Sequence, residues 1–341
     1  MAFDPDAPAQ PGSGIFGLSD SREKARIVVI PVPYEATTSY RTGTADGPDA
    51  ILEASAQVDL FDRRFGRIYE QGIHLLEAPA WIRKLSDDTR PMAARIISEG
   101  GAGPEDAADA ARVDAAGVQV SRYVHAEATS ILRDGKLPVV LGGEHAVSFG
   151  AIAACADAHE SIGVLQIDAH MDLRDRFEGF ETSHASIMHR VLTKIPRVTR
   201  LVQVGIRDFG EGEWNFAREH GAEDAGGRVR VYFDDDLNNA LLSGHEFADA
   251  CKAAIDALPD RVYVSFDIDG LDPALCPHTG TPVPGGLSYQ QASTLLAFLK
   301  SSGKTVVGFD LVEVAPGPSK NEPEWDANVG ARILYRMCGI V

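Results

Sequence analysis

Eight short apolar runs constrain this chain more than any other feature of its sequence. They cover 26–32, 72–76, 137–141, 162–167, 199–205, 229–233, 262–268 and 305–312, and helix-like stretches separate most of them. A run such as Ile27-Val28-Val29-Ile30-Pro31-Val32 has no polar alternation, so both of its faces are expected to be buried. Buried strands alternating with helices specify a parallel sheet covered on both sides, or a closed β/α barrel. Helices are expected from Pro48, at a first-turn position, with Ile51, Leu52, Val58 and Leu60 among its apolar residues, and over 114–133, 146–158, 184–194, 211–220, 245–258, 288–301 and 324–338. Ser288 is the expected N-cap of the helix over 288–301. Residues 79–113, with Trp81, Pro91 and the stretch from Gly100 to Pro104, read as an insertion holding a short helix and a mobile loop. Residues 1–22 are rich in Pro, Gly and Asp and read as a flexible N-terminal arm. No linker separates two complete cores after that arm and no internal repeat is visible, so 23–341 reads as one domain.

The ends of these strands carry the chemistry. In parallel α/β sheets, ligands gather at the carboxyl ends of strands. The run 162–167 is followed by Asp168-Ala169-His170-Met171-Asp172, three potential ligands two residues apart. If the strand continues through them, period-2 geometry turns all three to one side. A bound cation is the simplest thing that makes such crowding of like charges favourable, and the ordinary alternative is a polar loop after the strand. The run 137–141 is followed by Gly142-Gly143-Glu144-His145, the run 262–268 carries Asp267 and Asp269 at its end, and the last strand carries Asp310 and Glu313. Each has an ordinary alternative: His145 as a helix cap, Asp267 and Asp269 as turn formers, Glu313 as a solvated acid. Together, Asp168, Asp172, Asp267, Asp269, His145 and His170 supply four carboxylates and two imidazoles, a ligand shell for two divalent ions. Oxygen donors without thiolates favour Mn²⁺ over structural zinc, and Ni²⁺, Fe²⁺ and Co²⁺ fit the same set. Two such ions acidify a shared water and point to hydrolysis of an unreactive electrophile. His184 is open to two readings, a neutral structural histidine or a proton carrier. The other histidines read as structural or surface residues.

Charge and cysteine usage narrow the class. Fifty Asp and Glu against 32 Lys and Arg give a net charge of −18. That is a poor match for nucleic acid or an anionic membrane, and it tolerates a cationic substrate. Cys155, Cys251, Cys276 and Cys338 are scattered, without a C-x-x-C pair, so neither a disulfide framework nor a thiolate zinc site is expected. No signal peptide and no membrane-spanning run is visible, which makes the cytoplasm the expected location.

Several motifs resemble those of the ureohydrolase family of arginases, agmatinases and their relatives. They are Gly143-Glu144-His145, Asp168-Ala169-His170-Met171-Asp172, Ser183-His184-Ala185, the stretch from Ser265 to Pro273, the stretch from Pro282 to Ser288, and Asp310-Leu311-Val312-Glu313. Thr37-Thr38-Ser39-Tyr40-Arg41 resembles agmatinases in particular, and the likeness runs from about residue 25 to the C-terminus. The resemblance implies a three-layer α/β/α sandwich rather than a barrel. It implies two Mn²⁺ per subunit, one held by His145, Asp168, Asp172 and Asp267, the other by Asp168, His170, Asp267 and Asp269, with Asp168 and Asp267 shared. It gives Glu313 the substrate guanidinium, His184 a proton-shuttle role and Asp172 a proton for the leaving amine. It also implies a homo-oligomer, trimeric or hexameric. Arg174 stands where arginases carry Asn, and Phe209 and Gly210 follow Gly205-Ile206-Arg207-Asp208 without the arginases' further acid. Both departures point away from arginine and toward agmatine, giving putrescine and urea, a polyamine-forming step. Arg174 also suits the carboxylate of a guanidino acid, and His278 departs from the family's usual glycine, which bears on the pocket wall. The alternatives are another guanidino substrate (aminopropylagmatine, guanidinobutyrate, guanidine or arginine) or a silent binding or regulatory relative.

Overall fold

The computed structural model describes residues 4–10, 12–224, 226–318 and 324–341. Its strands are β1 (Ile27–Val32), β2 (Phe61–Asp62), β3 (Gly66–Arg67), β4 (Ile73–Leu75), β5 (Leu137–Gly142), β6 (Ile162–Ile167), β7 (Val198–Ile206), β8 (Val229–Phe233), β9 (Arg261–Asp267) and β10 (Thr305–Val312). Its helices are α1 (Gly47–Ser55), α2 (Ala80–Ser98), α3 (Ala107–Arg133), α4 (Phe149–Asp157), α5 (Ile187–Lys194), α6 (Glu211–Glu219), α7 (Asp234–Leu242), α8 (Phe247–Asp256), α9 (Tyr289–Ser301) and α10 (Asp326–Cys338).

All eight expected strands join one sheet in the order β4-β1-β5-β10-β9-β6-β7-β8, and every pairing is parallel. The sheet has two edges, so it is open and not a barrel. Alternate residues feed opposite cores. On β1, Val28, Ile30 and Val32 pack with Ile82 of α2, Val120 of α3, Ile152 of α4 and Val191 of α5. Ile27 and Val29 pack with Ile51 of α1, Ile255 of α8, Leu295 of α9 and Ile333 of α10. The result is the three-layer α/β/α sandwich. The chain passes directly from β5 to β6 and fills the two positions between them only later, with β9 and β10. Four strand ends that carry the motifs are thereby brought side by side at the middle of one sheet edge, the usual place for a ligand site.

Several local expectations need correction. The first helix stops at Ser55, and Val58 and Leu60 follow it in turns, although both still pack on the same core. The region 79–113 is more helical than expected. Helix α2 runs straight through Pro91, and α3 starts at Ala107 rather than 114. Pro91 lies on the exposed side of α2, where the carbonyl it leaves unbonded faces solvent. Trp81 meets Tyr123 edge-on at 5.5 Å, joining α2 to α3. The N-terminal arm is packed over its second half. Ile15, Phe16 and Leu18 are buried, the Phe16 N–H donates to Ser55 Oγ at 2.8 Å, and its ring lies 4.8 Å from that of Tyr335. Residues 1–3 and 11 of the arm lie outside the described residues. Helix α7 was not expected at all. Ser288 caps α9 as expected, accepting from the Gln291 N–H at 3.2 Å. All four cysteines are free and buried. Among the described residues, no helix is long and apolar enough to cross a membrane.

Candidate metal centre and pocket

The loop after β5 is drawn across the end of β1. Gly143 N–H donates to Val32 O at 2.9 Å and Glu144 N–H to Tyr34 O at 3.0 Å, which carries His145 over the sheet edge. The next strand behaves differently from expectation. β6 ends at Ile167, so strand periodicity does not align Asp168, His170 and Asp172. A tight turn does it instead. Asp168 Oδ1 accepts the His170 N–H at 2.7 Å, and Asp172 takes a left-handed backbone with φ 56°. Glu313, after β10, is likewise left-handed at φ 62°. Such a conformation costs a non-glycine residue about 1 kcal/mol or more, and two cases at one site mark it as functional. At the end of β9, Asp267 Oδ1 accepts the Asp269 N–H at 2.9 Å, and Asp269 Oδ1 accepts the Ala169 N–H at 3.0 Å. The β9 loop thus holds the β6 loop.

These turns bring all six expected ligands together. His145 Nδ1 lies 3.0 Å from Asp172 Oδ2, 3.2 Å from Asp168 Oδ2 and 3.3 Å from Asp267 Oδ2. His170 Nδ1 lies 3.0 Å from Asp269 Oδ2 and 3.6 Å from Asp168 Oδ1. Asp168 therefore offers one oxygen to each histidine. Two candidate ligand groups result, His145-Asp168-Asp172 and Asp168-His170-Asp269, and Asp267 joins the first through His145. The four carboxylates and His145 are buried.

The electrostatics of the cluster call for cations. Burial, then the neighbouring Asp168 charge, pushes the Asp172 carboxyl up to about 7. Burial and the charges of Asp269 and Asp168 push Asp267 well above its ordinary value. Asp168 goes the other way: burial opposes ionisation, but His145 and His170 hold it low. Both histidines are raised despite burial, because carboxylates surround them. Repelling buried acids of this kind are relieved by divalent ions.

A relay behind His145 supports the same reading. Ser265 Oγ donates to the Asp310 carboxylate, 3.0 and 3.1 Å from its two oxygens, and lies 2.8 Å from His145 Nε2. Serine has one proton, and Asp310 takes it, so the serine oxygen accepts from Nε2–H. Nδ1 is thereby the nitrogen turned to the carboxylates, and it would offer its lone pair to a bound ion in place of a proton. It is buried and makes no hydrogen bond, as a ligand nitrogen would. Asp168 is held similarly: Gln166 Nε2 donates to its Oδ2 at 2.8 Å, and Gln203 Nε2 donates to Gln166 Oε1 at 2.6 Å. In the sequence, 162–167 reads as an apolar run, and these supports do not show in it. The signal was a polar residue inside the fully buried part of each strand: Ser265, Gln166 and Gln203.

A cavity of about 300 Å³ opens above the cluster, with His170 and Asp172 on its floor and His184 on its wall. Burial, then the nearby His170 and His145, brings the His184 imidazole down to about 3, so the ring is neutral near pH 7. Glu313 is buried beside the cluster rather than on the cavity wall. Its Oε1 accepts the His145 N–H at 2.7 Å, and its Oε2 faces Gly280, where a Cβ would stand 3.2 Å away. Burial, then Glu144, raises its carboxyl well above the ordinary value. Arg174 lines the cavity, but its charge is engaged: Nη2 lies 3.3 Å from Glu213 Oε2, and the guanidinium sits 4.7 Å over the Phe177 ring. Glu213 is itself fixed by the Gly210 N–H at 2.7 Å and the Leu173 N–H at 3.1 Å. Asp208 and Phe209 form part of the outer wall. Among the described residues no cation pairs with Asp208. His278 does not line this cavity. It bonds Asp326, with Nδ1 at 2.9 Å from Oδ2.

The sequence profile of the arginase family matches residues 25–339. N(1)-aminopropylagmatine ureohydrolase of Thermus thermophilus is 34% identical over 329 residues, covering 96% of this chain and 94% of that protein. Agmatinase of Halalkalibacterium halodurans is 28% identical, with 91% of each chain covered. Among solved structures, proclavaminate amidinohydrolase from Streptomyces clavuligerus superposes with a TM-score of 0.72 at 23% identity, covering 98% of this chain and all of that one, a likeness of fold.

Proposed function

The chain belongs to the arginase family, and we propose that it hydrolyses agmatine to putrescine and urea. The observation that carries this reading is the pair of ligand groups sharing Asp168 on the floor of a cavity walled by His184. One ion would be held by His145, Asp168, Asp172 and Asp267, the other by Asp168, His170, Asp267 and Asp269. Oxygen-rich donors make Mn²⁺ the expected metal. When bound, two such ions supply Lewis acidity and make water a nucleophile near neutral pH.

The chain's own residues do the rest. Glu313 orients the planar guanidinium with the carboxylate oxygen that His145 N–H leaves free. His184 moves protons between the site and solvent. Asp172 delivers a proton to the substituted nitrogen as its bond to the guanidinium carbon breaks, so the amine leaves neutral and the water oxygen stays in urea. The engaged charge of Arg174, and Asp208, which pairs with no cation among the described residues, favour a substrate whose far end is a cation, as in agmatine. The 34% identity to an aminopropylagmatine ureohydrolase supports a second reading, in which the same amine end is extended by an aminopropyl group.

A urea-release screen of agmatine, aminopropylagmatine, guanidinobutyrate, guanidine and arginine, with Mn²⁺ and again with Ni²⁺, tests this. Agmatine or its aminopropyl derivative should give the highest kcat/KM. A higher value for guanidinobutyrate would overturn the substrate assignment, and no urea from any of them would overturn the activity. In Glu313→Gln, both ions should stay and KM should rise about tenfold or more, since a charge-assisted hydrogen bond contributes about 1.5–3 kcal/mol. A normal KM would remove Glu313 from that role.

A further inference from the structure

We propose that Thr37 and Glu144 form a relay that fixes the tautomer of His184, keeping a proton on Nδ1 and leaving the Nε2 lone pair free for proton transfer. The proposal rests on the reading of His184 as the proton carrier.

The relay is assembled by the loop after β1. Glu144 is fully buried, and its Oε2 accepts three donors: Ala36 N–H at 3.1 Å, Thr37 N–H at 2.7 Å and Thr37 Oγ1 at 3.0 Å. An oxygen already accepting from two N–H groups carries no proton, so the proton between it and Thr37 belongs to the threonine. That commits the only hydroxyl proton of Thr37. Toward every other neighbour Thr37 Oγ1 acts as an acceptor. It accepts the backbone N–H of His184 at 3.2 Å and lies 3.5 Å from His184 Nδ1. The Nδ1 contact is a hydrogen bond only if Nδ1 bears the proton. The second neighbour of Nδ1, Ser183 Oγ at 3.4 Å, is a hydroxyl able to accept from the same N–H. Nε2 then presents its lone pair toward the cavity, where Ser39 Oγ lies 3.5 Å away.

The support is rigid. Arg90 Nη1 donates to Ala36 O at 3.0 Å and Thr38 O at 2.6 Å, and Arg41 N–H donates to Gly280 O at 3.2 Å. When Nε2 takes up a proton, Nδ1–H remains directed at Thr37, and the Glu144 carboxyl lies just beyond that hydroxyl. The geometry is that of a base oriented by a hydroxyl and a buried acid, each acting through the next group. Thr37 and Glu144 are therefore positioning residues.

The test compares Thr37→Val, which keeps the shape and removes the hydroxyl, with Thr37→Ser, which keeps the hydroxyl, and with His184→Ala. Thr37→Val should retain both ions by metal analysis and keep KM within about twofold, while kcat falls about 10- to 100-fold, part of the hundred- to ten-thousand-fold that positioned proton transfer supplies. Thr37→Ser should restore kcat to within about threefold, as the hydroxyl alone is needed. Full kcat in Thr37→Val, an equal loss in Thr37→Ser, or loss of metal in Thr37→Val would overturn the relay. His184→Ala separates the two ideas. Slow turnover there with full speed in Thr37→Val removes the relay alone, whereas full speed in His184→Ala removes the proton-carrier reading and the relay with it. Nitrogen NMR of histidine-labelled, zinc-loaded wild-type protein reads the tautomer without any variant: a proton on Nδ1 of His184 is expected, and a proton on Nε2 alone would overturn the proposal.

Discussion

Asp267→Ala is expected to lose both bound metal and urea release, with kcat down by at least about a thousandfold, the equivalent of several kcal/mol of Lewis-acid stabilisation. Two functions of one side chain disappear together. Its Oδ2 lies 3.3 Å from His145 Nδ1, inside the ligand cluster, and its Oδ1 caps the turn that places Asp269. Asp267→Asn separates them. The amide oxygen still accepts the Asp269 N–H, so the turn persists, and metal loss in that variant reports on charge alone. Chelation adds a thermal readout. A ligand that binds only the folded state stabilises by about 2.7 kcal/mol at a hundredfold excess over Kd. The wild type should therefore lose Tm on chelation, and Asp267→Ala should not. Two ions per chain in Asp267→Ala would contradict its assignment as a shared ligand.

Gly143→Ala is expected to disable the site without touching a ligand. A Cβ at this position would lie 2.2 Å from Tyr34 O and 2.9 Å from Tyr34 C, both backbone atoms that cannot swing away. The loop would have to shift, and it carries Glu144 and His145 and accepts the Glu313 N–H on Gly143 O at 2.9 Å. A displacement of about 1 Å at a catalytic constellation costs on the order of a hundredfold in rate. Overpacking of this kind costs about 1–3 kcal/mol of stability. The variant should therefore fold with a lower Tm, bind metal weakly and turn over at about 1% of the wild-type rate. Normal kcat and metal content would show that the seating of the β5 loop across the end of β1 is not what positions His145.

The sheet was legible because parallel strands buried on both faces read as continuous β-branched runs, and all eight appear where the residues place them. The ligand residues were legible because carboxylates and imidazoles clustered after such strands have few structural uses. The parts that were not legible depend on tertiary contacts. The stretch around Pro91 reads as a short helix and a loop, yet α2 continues through Pro91, which lies on its exposed side. No element was expected between 233 and 245, yet Asp234, Asp235 and Asp236 occupy the first turn of α7, where negative charge complements the helix dipole. Ile15, Phe16 and Leu18 sit in a Pro/Gly-rich arm with no period of their own, and their burial depends on Ser55 and Tyr335 far along the chain. At the site, the turn through left-handed Asp172 replaces the strand alignment that the D-x-H-x-D spacing suggests. The Thr37-Glu144-His184 relay joins residues more than 100 positions apart, and no local pattern encodes it.

Metal reconstitution tests the central claim most directly. Chelated protein would be titrated with Mn²⁺ while bound metal and urea release from agmatine are followed together. Two ions per chain should bind, and full activity should return only as the second equivalent is added. Full activity with no metal, or saturation of activity at one ion per chain, would contradict a two-metal ureohydrolase site built on Asp168.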